Sequence, residues 1–238
     1  MTTDPLLLMG EVDAATTRLM RTAASFDAAD LAAASLLPGW SRGHVLAHLA
    51  RNADGFVNLL TAARTGEPLP MYASLAARTA DIEAGADRPP GEHLDDLRRS
   101  ADRFTEAVEA MPAAAWGATV RARRGPWPAA LLVWGRLREI EVHHLDLAAD
   151  YRPGDWSEAF AHRLLREAAS HHADGPTPPS MVLRFDGSQH DLVIGDRAGA
   201  PTVSGPACDL AAWLTGRDSG HTLTVVPDGP LPTPPEWI

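Results

Sequence analysis

Apolar residues recur at helical spacing through the first 150 or so positions, and an alternating pattern of strand type enters only after position 180. Leu7 to Phe26 is one amphipathic stretch. Pro38-Gly39 breaks the chain, Ser41 offers an N-cap, and the next helix is predicted to run to about Arg64, where Thr65-Gly66 supplies a stop. A shorter helical piece covers Ser74 to Ala84. Pro89-Pro90-Gly91 opens another helix over Glu92 to Ala110, ended by Met111-Pro112. Beyond a polar loop carrying Arg121, Arg123 and Arg124, Pro126 or Pro128 is expected to start a fourth long helix reaching about Asp150. Four long helices predict a four-helix bundle, whose interior takes ligands from facing helices.

The pattern changes near Tyr151-Arg152-Pro153-Gly154, and the expected division is a bundle over 1–152 and a smaller domain over 153–238. In the second part, Trp156 to Ala173 reads as a helix and Gly175-Pro176-Thr177-Pro178-Pro179 as a stiff connector. Met181 to Phe185 and His190 to Ile194 read as strands around an Asp186-Gly187 turn. Pro201 to Val203 is a third short strand, Pro206 to Leu214 a helix and Thr222 to Val226 a last strand. The fold class expected is therefore mainly α plus α+β. A proline-rich tail, Pro227 to Ile238, ends in Trp237-Ile238, an apolar pair suited to docking.

Composition narrows the function classes. The 238 residues are 45% hydrophobic and 22% charged, which is globular rather than disordered. A net charge of -10 argues against general nucleic-acid binding, because phosphates are repelled over most of such a surface. Every basic residue other than histidine is arginine, the side chain best matched to carboxylates. The N-terminus lacks the basic region of a signal peptide, and the apolar stretch Ala129 to Trp134 is far too short to cross a bilayer. A single cysteine, Cys208, excludes an intramolecular disulfide and a thiolate-rich zinc site. The expectation is a cytoplasmic chain with no membrane or nucleic-acid partner. No long heptad seam argues for a dimer, so a monomer is expected.

The candidate chemistry sits on two of the helices. Glu139 and His143, four residues apart, stack on one face of the fourth long helix. A carboxylate and an imidazole in a buried stripe are costly unless paired or bound to a cation. The same spacing also describes a solvated Glu–His ion pair, and Glu141 with His144 offers an alternative inward pair. On the second helix His44 and His48 are themselves four apart. His48 falls nearer the inner stripe of Val45, Leu49, Asn52 and Phe56, whereas His44 lies in the first turn. One histidine from this helix with Glu139 and His143 makes a His₂Glu set with one position open, the pattern of a catalytic zinc. Asn52, one turn beyond His48, is placed to orient a ligand.

Leu37-Pro38-Gly39-Trp40-Ser41 followed by His44 through Asp54 resembles the N-terminal signature of the mycothiol-dependent maleylpyruvate isomerases, within a wider group of DinB-like metal-binding bundles. The resemblance continues through Arg78 to Ala86, Arg138 to Leu147, Trp213 to Arg217 and the closing Leu231 to Ile238. It spans nearly the whole chain. It implies that His48, Glu139 and His143 bind Zn²⁺, and it favours Glu139/His143 over Glu141/His144. Positions 141 and 144, often apolar or small in such proteins, are Glu and His here.

What the resemblance further implies is chemistry on a small-molecule thiol. Mycothiol would supply the sulfur, since Cys208 lies in the second domain. Its thiolate would add to the activated C=C of 3-maleylpyruvate, and bond rotation and elimination would leave 3-fumarylpyruvate, a step of gentisate-type aromatic catabolism. Arg78 and Arg217 are the expected partners of the two substrate carboxylates, with Arg217 also a candidate catalytic cation. The alternatives are a mycothiol S-transferase acting on other electrophiles, and a non-catalytic metal-binding protein of the same bundle type.

Overall fold

The computed structural model of the chain describes residues 4–123 and 125–237. Met1 to Thr3, Arg124 and Ile238 lie outside the described residues. The chain divides into two compact units, one up to Ala149 and one from Asp150 onward. The mainly helical class with a smaller α+β part is as the periodicity predicts.

In the first unit the long helices are α1 (Pro5–Ala24), α3 (Arg42–Thr65), α5 (Pro90–Glu109) and α6 (Leu132–Asp146), with the shorter α2 (Ala28–Ala32) and α4 (Leu75–Ala86) between them. Helix starts follow the capping chemistry. Asp4, Asp27, Ser41 and Ser74 each accept a backbone N–H in the first turn of their helix. Gly66, at a φ of +75°, closes α3 in the left-handed conformation that glycine adopts without strain. The core is the side of each helix turned to its neighbours, with α3 packing on α4, α5 and α6, and α1 on α5 and α6.

One expectation fails in this unit. The fourth long helix does not begin at Pro126 or Pro128 but at Leu132, after a single 3₁₀ turn. The preceding residues form an antiparallel hairpin, β1 (Thr119–Ala122) and β2 (Gly125–Pro128), in register from Thr119 opposite Pro128 to Ala122 opposite Gly125. Two prolines with an intervening Trp127 suit an extended strand at a sheet edge better than a first helical turn. The ring of Trp127 packs 5.9 Å from Phe56 of α3, and Gly135 leaves the space on α6 for it.

The end of α6 is tied to the start of α3. Arg42 donates from Nε to the Leu147 carbonyl and from Nη2 to that of Ala148, and the Leu36 N–H reaches the Asp146 carbonyl. Those carbonyls have no partner within α6, so a guanidinium there both satisfies them and complements the helix dipole. This clasp holds the first turns of α3 beside the last turn of α6, where the site lies.

The second unit has α7 (Glu158–Ala173), β3 (Met181–Phe185), β4 (Leu192–Ile194), β5 (Thr202–Gly205), α8 (Ala207–Leu214) and β6 (Thr224–Val226). The sheet order is β4-β3-β5-β6, antiparallel except for the parallel β3/β5 pair. The two helices pack on each other, α7 also on β4 and α8 on β3 and β5. Among the described residues no helix is long and apolar enough to cross a membrane.

Candidate metal centre

Three of the side chains singled out in the sequence converge. His48, on the second turn of α3, places Nε2 3.2 Å from Glu139 Oε2 on α6. His143, one turn further along α6, places Nε2 3.5 Å from the same oxygen. The two imidazole rings stand edge to face with centroids 4.7 Å apart. One ligand atom from each of the three residues lies within 4.8 Å of the other two.

These three side chains could hold a divalent cation such as zinc. Ligand bonds of about 2.0–2.1 Å at a tetrahedral centre put donor atoms roughly 3.3–3.4 Å apart, close to both spacings to Glu139. The side chains are sheltered, His48 at 5% exposure, Glu139 at 23% and His143 at 16%, which leaves the cluster reachable from outside through Glu139 and His143.

Electrostatics set the charge of each side chain. Burial, reinforced by the charges of His143 and Arg78, pushes the His48 pKa down to about 4 despite its hydrogen bond to Glu139, so the ring is neutral at pH 7. Burial opposes ionisation of Glu139, yet hydrogen bonds and charge from His143 and His48 outweigh it and hold the carboxyl well below its usual range. His143 is raised: burial alone would lower it, and hydrogen bonds to Asp146 and Glu139 reverse the direction.

Asp146, 1% exposed, places Oδ2 2.7 Å from His143 Nδ1. A carboxylate there accepts the Nδ1 proton, so that Nε2 is the nitrogen this ring would offer a metal on losing its own proton, the arrangement common behind metal-bound histidines. The local signal for this role is the spacing of three between His143 and Asp146, which puts both on one helix face. Arg78, in the first turn of α4, places Nη2 3.1 Å from His48 Nδ1, and its guanidinium carbon lies 6.0 Å from the Trp40 ring centroid and 5.7 Å from that of Tyr72. Trp40 also meets His48 edge-on at 5.5 Å. No periodicity marks Tyr72, which sits in the loop before α4. Asn52 gives its Oδ1 to Arg136, a fully buried guanidinium that also donates to the Leu49 carbonyl.

His44, Glu141 and His144 make their contacts away from this cluster. His44 is spent on the helix start, closing a capping box with Ser41 and reaching Glu83 through Nε2. Glu141 and His144 face α1, where Arg18 Nη2 donates to Glu141 Oε1 at 2.6 Å and His144 Nε2 lies 2.8 Å from Thr22 Oγ1. Arg217 belongs to the second unit, just beyond α8, where Nη1 donates to the Thr215 carbonyl and the guanidinium lies 5.9 Å from the Trp237 ring centroid. Arg121 and Arg123, two of the arginines placed by the sequence in a polar loop, line a cavity of about 640 Å³ together with Tyr72.

Comparison with known proteins agrees along the whole chain. Residues 12–148 match the family described as mycothiol maleylpyruvate isomerase N-terminal domain, and residues 155–236 match its C-terminal domain. A crystal structure of a mycothiol-dependent maleylpyruvate isomerase superposes with a TM-score of 0.92 at 29% identity, covering 100% of both chains. A histidine-to-alanine variant of such an isomerase superposes with a TM-score of 0.91 at 28% identity, again over 100% of both. No curated protein matches.

Proposed function

The chain belongs to the mycothiol maleylpyruvate isomerase family, and on that footing we propose that it converts 3-maleylpyruvate to 3-fumarylpyruvate using zinc and the thiol of mycothiol. One observation carries the reading: two imidazole nitrogens and a carboxylate oxygen, drawn from α3 and α6, gather within 4.8 Å. In this reading His48, Glu139 and His143 hold the ion. Zinc there would supply Lewis acidity that keeps a thiol ionised at neutral pH.

The chain's own groups divide the remaining work. Asp146 holds the His143 ring by its Nδ1 proton, so that Nε2 stays aimed at the cluster. Arg78, beside the cluster, offers paired N–H donors to one substrate carboxylate, and the flanking Trp40 and Tyr72 rings limit where its plane can lie. Arg217 is assigned the second carboxylate and the negative charge that develops on the oxo-acid portion. Cys208 is a poor source of sulfur: burial, with the Asp209 charge beside it, pushes its thiol pKa up. An external thiol meets that need.

The test is zinc analysis of the purified chain together with an assay of maleylpyruvate with and without mycothiol. The expected result is a zinc-containing protein that yields fumarylpyruvate only when mycothiol is present, with His48→Ala and His143→Ala each losing both metal and turnover. Stable thiol conjugates of other electrophiles, with no fumarylpyruvate, would replace the isomerase by a mycothiol S-transferase. Full zinc occupancy in either histidine variant would discard the ligand assignment.

A further inference from the structure

His48 makes two hydrogen bonds that together set where its ring proton lies. Arg78 Nη2 stands 3.1 Å from Nδ1, and a guanidinium can only donate, so Nδ1 is the accepting nitrogen. The proton of the neutral ring is then on Nε2, which donates it to Glu139 Oε2 at 3.2 Å. Nε2 is also the atom that His48 contributes to the cluster. A cation there needs the Nε2 lone pair, and the neutral ring must then carry its proton on Nδ1. That proton would face an Arg78 N–H, donor against donor. His143 has no such conflict, because Asp146 already holds its proton on Nδ1.

Resting on the zinc reading above, we propose that the Arg78 contact to His48 Nδ1 and a cation on Nε2 exclude one another, so that metal binding turns Arg78 from His48 to a substrate carboxylate. Binding of the ion and binding of the dicarboxylate are thereby coupled through one side chain. Two features make the exchange small in scale. The guanidinium lies within 6.0 Å of both the Trp40 and Tyr72 ring centroids, and those rings favour a cation independently of which acceptor it uses. Its backbone is set by α4, capped by the Ser74 hydroxyl one turn earlier. Charge acts in the same sense, because a dication and a guanidinium repel at this range and an arriving dianion offsets that repulsion.

The experiment titrates the full chain with zinc and with maleate, an unreactive cis-dicarboxylate, each alone and in the presence of the other, without thiol. Zinc is expected to tighten maleate binding by about tenfold or more, and maleate to tighten zinc binding by the same factor, because such coupling is reciprocal. In Arg78→Met the coupling should collapse toward unity, and zinc should bind more tightly than in wild type when maleate is absent. Nitrogen-15 spectra should place the His48 proton on Nε2 in the metal-free protein and on Nδ1 in the zinc form. Wild-type-sized coupling in Arg78→Met would assign the linkage to maleate binding the metal directly and overturn the proposal. Weaker zinc binding in that variant would overturn it as well, as would a His48 Nδ1 that stays unprotonated with zinc bound. Zinc uptake and isomerisation with no coupling in wild type would remove the exchange alone, whereas a chain that takes up no zinc would remove the proposed function with it.

Discussion

Asp146 is buried to 1% exposure and spends one carboxylate oxygen on the Nδ1 proton of His143. Replacing it with asparagine keeps the shape and removes the charge. Partners of this kind set the tautomer and basicity of a ligand, so Asp146→Asn is expected to weaken zinc binding by about 10–100-fold, read by competition with a chelator. Unchanged affinity would reduce Asp146 to a packing residue. His93 carries a second residue-scale expectation. Burial lowers its pKa, with the Arg88 charge in the same direction, while its hydrogen bond to the Ala86 carbonyl and the Asp96 and Glu92 charges oppose. The unfolded chain then binds more protons than the folded one as pH falls below about 6.5, so stability contributed by the neutral ring is lost through that window. Denaturant midpoints at pH 7 and pH 5.5 should differ more in wild type than in His93→Gln. Equal differences would show that other groups set the acid limb. At this scale helix spacing offered His44 or His48, and Glu139 with His143 or Glu141 with His144, and the family resemblance rather than the spacing favoured His48, Glu139 and His143. Trp40 was visible only as part of a motif and Tyr72 not at all, since a loop residue beside a cluster leaves no periodic trace.

Among the elements, the junction of α3 and α6 carries the most leverage on the site. Ala148, just past α6, has a φ of +51°, in the left-handed region that costs an L side chain roughly 1–2 kcal/mol. Ala148→Gly removes that cost but gives the unfolded chain more freedom, leaving a net gain of about 0.5–1 kcal/mol. A rise of roughly 1–4 °C in the first unit's unfolding midpoint should follow, and a fall would contradict the strain. Gly43 works in the opposite sense. A Cβ there would run into the Ala86 carbonyl at the end of α4, a backbone atom that cannot swing aside. Gly43→Ala should destabilise the first unit by about 1–3 kcal/mol, measured by urea unfolding. Element existence was largely readable from the caps and from 3.6-residue periodicity. The hairpin of β1 and β2 was not, because Pro126 and Pro128 suit a helix start and an edge strand alike, and only Trp127 packing on Phe56 separates the two.

For the molecule as a whole, the second unit carries its own prediction at Arg217. Arg217 is anchored within its own unit by the Thr215 carbonyl and the Trp237 ring. Arg217→Ala is expected to retain zinc and lose about 10²–10³-fold in kcat, the usual cost of removing a group that meets developing charge. Unchanged kinetics would take Arg217 out of the reaction. Local rules of spacing, capping and composition determined by themselves the helical first part, the mixed second part, a Glu–His pair one turn apart on α6, and the lack of any thiol besides Cys208. They left open which pair on α6 turned to α3. Only the tertiary structure decided that Glu139 and His143 meet His48, while Glu141 and His144 turn to Arg18 and Thr22 on α1. A helix offers every face at once, and which face holds the chemistry depends on the neighbour that packs against it.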